Sequence, residues 1–418
     1  MQSIRSDFRG ARVDKGVLAA LVEYRPVPSD LFPNLRCFRL ASEEYLSTED
    51  LPFLQRLLGP SMLTVHVFND VLVSADSETY VCSLFRSISQ TSPRIREISI
   101  RSPFNPVNVL AIEGMLLSLS ELKSIQVLDM PLPPRAVVDH LGALGSLECW
   151  DFLVFPADAD LHSFTTRGDQ FPNLHRFGFC AVDIVVASEI VQSMNCPFEW
   201  LEVICRPRRR NATESLRSLR RMTEVLSRHR SLLSLSHLTL DVSSEILIDG
   251  ESSAHVVLCP LFRLGGLKHV KLKLTTIHLV GDVWFEEASQ AWPYLETLRV
   301  TLPSWPKDWE QHHGPSMTLA GLIPLLQRCP RLSHLEVSLI AKPIDPSVLS
   351  GISGSTVYRV SFPFSAIESP REVYQCMAVM FPKIRAFDGY SYRRREGNDT
   401  AWGDLGRWIL DGKLDGSR

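Results

Sequence analysis

Apolar and polar positions follow a frame that returns along most of the chain. In the segment FPNLRCFRL at 32–40, an apolar residue precedes two variable residues, a second apolar residue, one variable residue and a third apolar residue: Leu35, Phe38 and Leu40. The last two apolar positions are two residues apart, so they lie on one face of a strand, and the residue between them faces the other way. Each copy of the frame therefore predicts a strand with one buried face.

The frame occurs in 13 copies, with a mean spacing of about 29 residues. In the fourth copy we assign it to Ile125, Leu128 and Met130. The copies start at Leu35, Met62, Ile95, Ile125, Leu147, Leu174, Phe198, Leu235, Leu267, Leu295, Leu332, Val357 and Ile384. Helical periodicity fills the gaps, as in TLAGLIPLLQRC, where Leu319, Leu322, Ile323 and Leu326 share a helix face. Helices are predicted over 48–58, 78–90, 134–144, 183–194, 213–230, 282–291, 318–329 and 371–380.

One strand and one helix in each period of roughly 20–29 residues is the pattern of a leucine-rich repeat. The predicted fold is therefore an α/β leucine-rich-repeat solenoid (horseshoe), with a parallel sheet on the concave face and helices outside. A doubly wound α/β domain is the alternative, since it also alternates strands and helices. Its strands read as continuous apolar runs, whereas here charged residues stand between the apolar ones, as Glu202 does in the run LEV.

The repeat count predicts three segments. Residues 1–30 form an N-terminal capping segment with a helix near 15–25, residues 31–395 form a solenoid of about 13 repeats, and residues 396–418 form a C-terminal cap. Caps are expected because the end of a repeat stack exposes its core. Trp402 and Trp408 are the apolar residues that suit the C-terminal cap.

Composition narrows the class of function. The 418 residues carry 44 Lys and Arg against 47 Asp and Glu, a net charge of −3. This balance argues against a nucleic-acid binder and against a polybasic membrane-surface protein. Nine cysteines without a C-x-x-C pair, and a charged N-terminus, predict reduced thiols in a cytoplasmic or nuclear protein. No apolar run reaches the roughly 18 residues of a membrane-spanning helix.

The frames FPNLRCFRL, FPNLHRFGF, WPYLETLRV and LAGLIPLLQRCPRLSHLEV resemble the repeat region of F-box/leucine-rich-repeat proteins of the fungal, basidiomycete type. The resemblance covers roughly residues 20–390. It implies a role in choosing substrates for a cullin-type ubiquitin ligase. No F-box motif is recognisable before the first frame at Leu35. Two alternatives follow: an F-box that binds the ligase adaptor lies upstream of this chain, or the protein is a free-standing scaffold or regulator with no ligase link.

The sequence has no recognisable motif for catalysis or cofactor binding. The sequence contains no Walker A, G-x-G-x-x-G, H-E-x-x-H or EF-hand pattern, and GISGS at 351–355 lacks the last glycine of a nucleophile elbow. Asp158 and Asp160, or the adjacent His312 and His313, are weak candidates for a cation, and a solvated loop explains each pair better. We therefore expect a non-enzymatic protein with no cofactor and no metal.

Histidines recur on the face of the strands opposite the core. Positions two, three and five of each frame point away from the core, and five of the 12 histidines stand there. His237, His269 and His334 occupy the same frame position, the first two in consecutive repeats about 4.8 Å apart. One interpretation is a ligand-contacting face whose charge changes at about pH 6.5. The other is that histidine is merely tolerated on a half-exposed strand.

Charge on this face is divided into patches. The fifth to seventh repeats are acidic and the ninth is basic, an arrangement that suits a protein partner with complementary patches. Trp200 lies beside the acidic residues and is a binding hot spot if exposed, or a core residue if the frame is shifted. The predicted partner-binding residues are Glu148, Asp151, His175, Arg176, Glu199, Trp200, Glu202, His237, Lys268, His269, Lys271, Arg299 and His334.

Two arginine runs stand apart from the frames. One covers 206–210 and the other 393–395. Each is either a nuclear import signal or a solvated surface segment.

Overall fold

The computed structural model describes residues 4–7, 34–42, 55, 58–69, 75–101, 106–128, 133–153, 170–181, 183–205, 212–242, 254–274, 280–301, 316–349, 352, 355–363, 365–389 and 398–411. The chain divides into two compact units. The first contains Met1–Cys180 and Ser193–Cys196, and the second contains Ala181–Gln192 and Pro197–Arg418.

The first unit builds one parallel sheet in chain order. Its strands are β1 (Ile4–Asp7), β2 (Cys37–Ser42), β3 (Thr64–Asn69), β4 (Glu97–Arg101), β5 (Ser124–Leu128), β6 (Cys149–Leu153) and β7 (Arg176–Ala181). Its helices are α1 (Ala75–Thr91), α2 (Pro106–Ser118) and α3 (Arg135–Ala143). Each strand pairs in parallel with the next, as at Ile98 with Ile125. A crossover that connects parallel neighbours needs a dozen or more residues, which the repeat supplies.

The second unit repeats the same arrangement. Its sheet contains, in order, β8 (Trp200–Cys205), β9 (His237–Val242), β10 (His269–Leu274), β11 (Thr297–Thr301), β12 (His334–Val337), β14 (Arg359–Phe362) and β16 (Ala386–Gly389). A separate two-stranded pair is formed by β13 (Ile340–Ala341) and β15 (Ala366–Ile367).

Helical segments connect these strands. They are α4 (Ile184–Ser193), α5 (Ala212–Arg228), α6 (Ala254–Leu258), α7 (Asp282–Ala291), α8 (Ile323–Arg328), α9 (Pro346–Leu349), α10 (Pro370–Met380) and α11 (Asn398–Asp411). Short 3-10 turns lie at Arg230–Leu232, Cys259–Arg263 and Ala320–Leu322. The helices predicted over 78–90, 134–144, 183–194, 213–230, 282–291 and 371–380 are confirmed within a few residues. The helix predicted over 48–58 lies almost entirely outside the described residues.

The apolar frame positions form the core. On β9, Leu238 and Leu240 are 1% and 0% exposed. His237, which comes directly before Leu238 and points to the other face, is only half-buried. The register partners of Leu238 and Leu240 on β10 are the equally buried Val270 and Leu272. On β9 and β10 only one face is therefore packed in the core, and the strands of the sheet follow chain order. This confirms the α/β leucine-rich-repeat solenoid and excludes the doubly wound alternative. Burying each such side chain stabilises the fold by about 1.5–3 kcal/mol.

A backbone ladder aligns the start of most consecutive strands in the described residues. The carbonyl of the residue at frame position two accepts two N–H groups from the following repeat. In the second unit the Glu199 carbonyl accepts from Ser236 and His237, both at 2.9 Å, and the Ser236 carbonyl accepts from Lys268 and His269 at 2.8 and 2.9 Å. Because each carbonyl fixes the next strand, equivalent frame positions come directly beside one another.

One frame differs from its prediction. In the fourth repeat Leu122, Ile125 and Val127 are the buried residues, and Ile125 pairs with Ile98 and Trp150. The sequence offers two overlapping frames there, and the assignment to Ile125, Leu128 and Met130 was wrong because Leu122 already occupies the first core position. In the last repeat Gly389 takes the third apolar position.

Gly389 makes room for a tryptophan from the C-terminal helix. A Cβ at Gly389 would lie 2.8 Å from Cε3 of Trp402, which is 1% exposed. The Trp402 indole N–H donates to the Ser365 carbonyl at 3.0 Å, and its ring stacks on Phe387. Within the predicted N-terminal cap, the described part is the strand Ile4–Asp7, which pairs with β2, and the helix near 15–25 lies outside the described residues.

Candidate functional site

The sheet face of the second unit that points away from the core is organised in rows. Register places Trp200, His237, His269, Thr297, His334 and Arg359 in a first row across the strands. A second row contains Glu202, Thr239, Lys271, Arg299, Glu336 and Ser361. We call this surface the open face. Its rows follow from the strand period of two and from the backbone ladder.

Three rings of the first row form a continuous stack. The rings of Trp200 and His237 lie 4.5 Å apart with an interplanar angle of 3°, and those of His237 and His269 lie 4.1 Å apart at 17°. We call these three residues the ring column. Trp200 is half-buried because His237 covers one of its faces, while Leu201 and Val203 take the core positions beside it. The structure thus decides the alternatives for Trp200 in favour of the open face.

Hydrogen bonds hold the imidazoles in place. The Ser236 hydroxyl lies 2.8 Å from Nδ1 of His237, and the Thr297 hydroxyl lies 3.1 Å from Nδ1 of His269. A Glu296 carboxylate oxygen lies 3.7 Å from Nε2 of His269. These contacts reduce the rotational freedom of both rings, so the ring column is preorganised before any ligand binds.

The environment of the ring column disfavours protonation. Burial lowers the pKa of His237 below its usual 6.5, His269 and Lys268 lower it further, and Glu296 and Glu199 oppose the shift. Burial also lowers the pKa of His269, with Glu296 opposing and Lys268 adding to the effect. Both imidazoles are therefore neutral at neutral pH, and they gain charge below the value of about 6.5 that the sequence alone suggests.

His334 continues the first row beyond Thr297. Its Nδ1 lies 2.9 Å from the Ser333 hydroxyl, and its ring meets Tyr358 edge-on with centroids 4.7 Å apart at 72°. Burial, followed by Arg359, Arg299 and His269, lowers its pKa. His334 belongs to the same face as the ring column but does not stack with it, because Thr297 stands between them in register.

Charged side chains flank the ring column. Glu199 and Lys268 are exposed at the start of the strands, and Glu202 and Lys271 are half-buried in the second row. Elsewhere in the row the Arg299 guanidinium lies 3.5 Å from the Glu336 carboxylate. Glu199 and Glu202 thus lie near Trp200, whereas His269 has the basic Lys268 and Lys271 and the acidic Glu296 around it.

The other predicted site residues form a separate group in the first unit. Glu148 pairs with Lys123 at 2.8 Å, and Asp151 pairs with Arg176 at 3.4 Å. The hydrogen bond from Lys123 is the main cause that lowers the pKa of Glu148. His175 is exposed beside them. The predicted acidic patch is therefore partly neutralised at Glu148 and Asp151, and Lys123 was overlooked because the misplaced fourth frame hid its position on this face.

Several residues of the open face were not among the predicted site residues. Thr297, Glu296 and Tyr358 contact the histidines directly. Thr297 occupies the frame position of the histidines, so strict use of that position would have found it. Asp158, Asp160, His312, His313 and both arginine runs lie outside the described residues.

The open face offers stacking, hydrogen bonding and charge pairing. Among the described residues, the group with metal-ligand geometry is His255, Cys259 and Glu287, which lies on helical segments away from this face. Within the same part of the chain, no helix combines the length and the apolar character that crossing a membrane requires.

Comparison with known proteins gives structural likenesses only. No model of a protein family matches the chain, and no curated protein matches it in sequence. The crystal structure of the leucine-rich repeat-containing protein LegL7 from Legionella pneumophila is similar over 91% of this chain and 98% of that chain, with a TM-score of 0.40 and 11% identity. A protein from Bacteroides fragilis is similar over 83% of this chain and 80% of its own, with a TM-score of 0.29 and 12% identity.

Proposed function

We propose that the protein is a non-catalytic protein-binding module and that the open face of its second unit holds the partner. The observation that carries the proposal is the ring column, in which Trp200, His237 and His269 stack at 4.5 and 4.1 Å. Aligned rings on a sheet face present a rigid, neutral and largely apolar strip. Tryptophan is among the residue types that dominate binding energy at interfaces.

The flanking charges define the kind of segment that fits. Glu199 and Glu202 lie beside Trp200, whereas Lys268 and Lys271 outnumber the single Glu296 carboxylate beside His269. A complementary segment covers the ring column with an apolar or aromatic side chain and carries basic groups toward Trp200 and acidic groups toward His269. A nucleic-acid backbone matches this surface poorly, because only part of it is basic.

The resemblance to F-box/leucine-rich-repeat proteins suggests a finer role as the substrate-recognition subunit of a cullin-type ubiquitin ligase. The alternative is a free-standing scaffold or regulator with the same binding face. A cytoplasmic or nuclear location suits both roles, and Cys196 and Cys329 are buried thiols that fit such a reducing compartment. Recovery of the ligase adaptor with the full-length protein would support the ligase role, and recovery of other partners without any ligase component would support the free-standing scaffold.

The test compares purified complexes of variants from the protein's own cells. If the ring column is the centre of the interface, Trp200→Ala should weaken binding of the partner by about 2 kcal/mol or more, which raises the Kd roughly 30-fold. Glu199→Lys together with Glu202→Lys should also weaken binding, without unfolding the protein, because neither side chain is in the core. Leu233→Ala is the control, since Leu233 is 70% exposed in the turn before β9.

Partners count as specific when the control retains them and Trp200→Ala loses them in quantitative mass spectrometry. Retention of every partner by both open-face variants would refute the proposal. If the Glu199/Glu202 variant lowers the melting temperature sharply with binding intact, these carboxylates stabilise the fold and do not bind the partner.

A further inference from the structure

Three potential metal ligands meet on the helical side of the second unit. His255 lies in α6, Cys259 begins the following 3-10 turn, and Glu287 lies in α7. His255 and Cys259 are four residues apart, so the helical turn brings both side chains to one face. Glu287 comes from the helix of the next repeat, 28 residues further on. The three residues do not form a contiguous sequence motif. They come together because consecutive repeats stack on one another.

The distances match a tetrahedral zinc site. Cys259 Sγ lies 3.4 Å from Nδ1 and 3.6 Å from Nε2 of His255 and 3.7 Å from Oε2 of Glu287, and Nε2 lies 3.1 Å from the same Oε2. Ligand bonds of ordinary length at tetrahedral angles place such donor atoms about 3.4–3.6 Å apart. A turn of the His255 ring that brings the Nε2 lone pair toward Sγ and Oε2 would place the three donor atoms around one point at bonding distance.

The donor set also fits zinc. A thiolate and an imidazole are ligands that select transition metals over calcium or magnesium, and a carboxylate completes common zinc sites. All three side chains are half-buried, so a fourth position remains open to water. We propose that His255, Cys259 and Glu287 bind one Zn²⁺ ion. On binding, the Cys259 thiol proton leaves to the solvent, and a zinc–sulfur bond replaces the S–H bond.

The position suggests a structural role for the ion. Helix α6 has five residues, too few for a stable helix on its own. Its attachments include the buried Val257 and Leu258 and a hydrogen bond from the Thr223 hydroxyl to the Val257 carbonyl at 2.5 Å. Zinc would join this segment to α7 and so tie two consecutive repeats together. This role does not depend on the open face, and the proposal stands apart from the proposed function.

The experiment measures zinc uptake by the full-length protein after chelator treatment. Equilibrium dialysis against Zn²⁺ should give one ion per chain, and Cys259→Ser should weaken its binding more than about 100-fold, because even loss of an outer partner of a ligand costs 10–100-fold. Glu287→Gln, which preserves the side-chain shape, should also weaken binding. Cys37→Ser is the matched control, as Cys37 is a half-buried thiol on β2.

Two further measurements test whether Cys259 is a ligand of the metal and whether the metal stabilises the fold. Co²⁺ in place of Zn²⁺ should give thiolate-to-metal absorption and the strong visible bands of a tetrahedral site, both lost in Cys259→Ser. Zn²⁺ should raise the melting temperature of the wild type and of Cys37→Ser, but not that of Cys259→Ser. Failure of the wild type to bind Zn²⁺ more tightly than Cys259→Ser and Glu287→Gln, with all proteins folded by circular dichroism, would overturn the proposal.

Discussion

The ring column makes the stability of the second unit depend on pH. The pKa of His237 and that of His269 are both lowered in the folded protein, so the unfolded chain takes up protons first as the pH falls. The two histidines therefore contribute stability that is present above about pH 6.5 and is lost as the pH falls through their folded pKa values. We expect the melting temperature to decrease between pH 7.5 and pH 5.5, and His237→Gln to reduce that decrease.

Burial is the first cause of both lowered pKa values, and for His237 repulsion from His269 adds to it. The size of that repulsion follows from the ring separation of 4.1 Å. Two unit charges at that distance repel by about 1 kcal/mol in bulk water and about 4 kcal/mol at the effective dielectric near a protein surface. The His269 side chain is 34% exposed, so solvent screening places the repulsion near the lower end, at about 1–2 kcal/mol. This corresponds to a change of about 2–8 °C in melting temperature.

The assay is thermal unfolding followed by circular dichroism at several pH values. Wild type and His237→Gln are compared, and His175→Gln serves as a control because His175 is an exposed histidine of the first unit. Other titrating groups cancel in the difference between the curves. If the wild-type and His237→Gln melting temperatures change in parallel from pH 7.5 to pH 5.5, neither burial nor repulsion from His269 opposes protonation of His237, and the reasoning is refuted.

Two further substitutions test the packing of the repeats. Leu238→Ala should lower the unfolding free energy by about 2–5 kcal/mol because Leu238 is 1% exposed, whereas Leu233→Ala should change it by less than about 0.5 kcal/mol; equal denaturation midpoints would contradict the core assignment. Gly321→Ala would place a Cβ 3.0 Å from Cα of Asp282 and against its carboxylate, which accepts hydrogen bonds from the Thr318 N–H and hydroxyl at 2.8 and 2.7 Å. We expect it to cost about 2–4 kcal/mol in urea denaturation, and a wild-type midpoint would show that the contact is dispensable.

The repeat frame was predictable because burial imposes it locally. A strand with one packed face needs apolar residues two apart, and Leu238 with Leu240 satisfies this whatever the neighbours are. Amphipathic helices were predictable for the same reason, as in α5, where Leu219 and Met222 are buried and Arg220 is exposed. Helix α2 has apolar residues on all sides, including Leu110 at 70% exposure, so its periodicity gave no signal.

The choice between competing frames needed the neighbouring strands. Leu122 and Ile125 both fit as the first residue of the fourth frame, and only pairing of Ile125 with Ile98 and Trp150 decides between them. Lys123 was overlooked for the same reason, because its place on the strand face beside Glu148 is recognised only when the fourth frame starts at Leu122. A single strand does not contain this information, because the register is set by the hydrogen bonds between strands.

The two candidate sites were indicated by the sequence to different extents. The common frame position of His237 and His269 indicated proximity, but the parallel stacking on Trp200 results from the backbone ladder that aligns the strands. The group of His255, Cys259 and Glu287 gave no sequence signal, since its third ligand comes from the next repeat. The sequence alone determined which face of each repeat is buried, because that depends on local periodicity. Only the tertiary structure decided which side chains meet between repeats, because those distances depend on stacking across 28 or more residues.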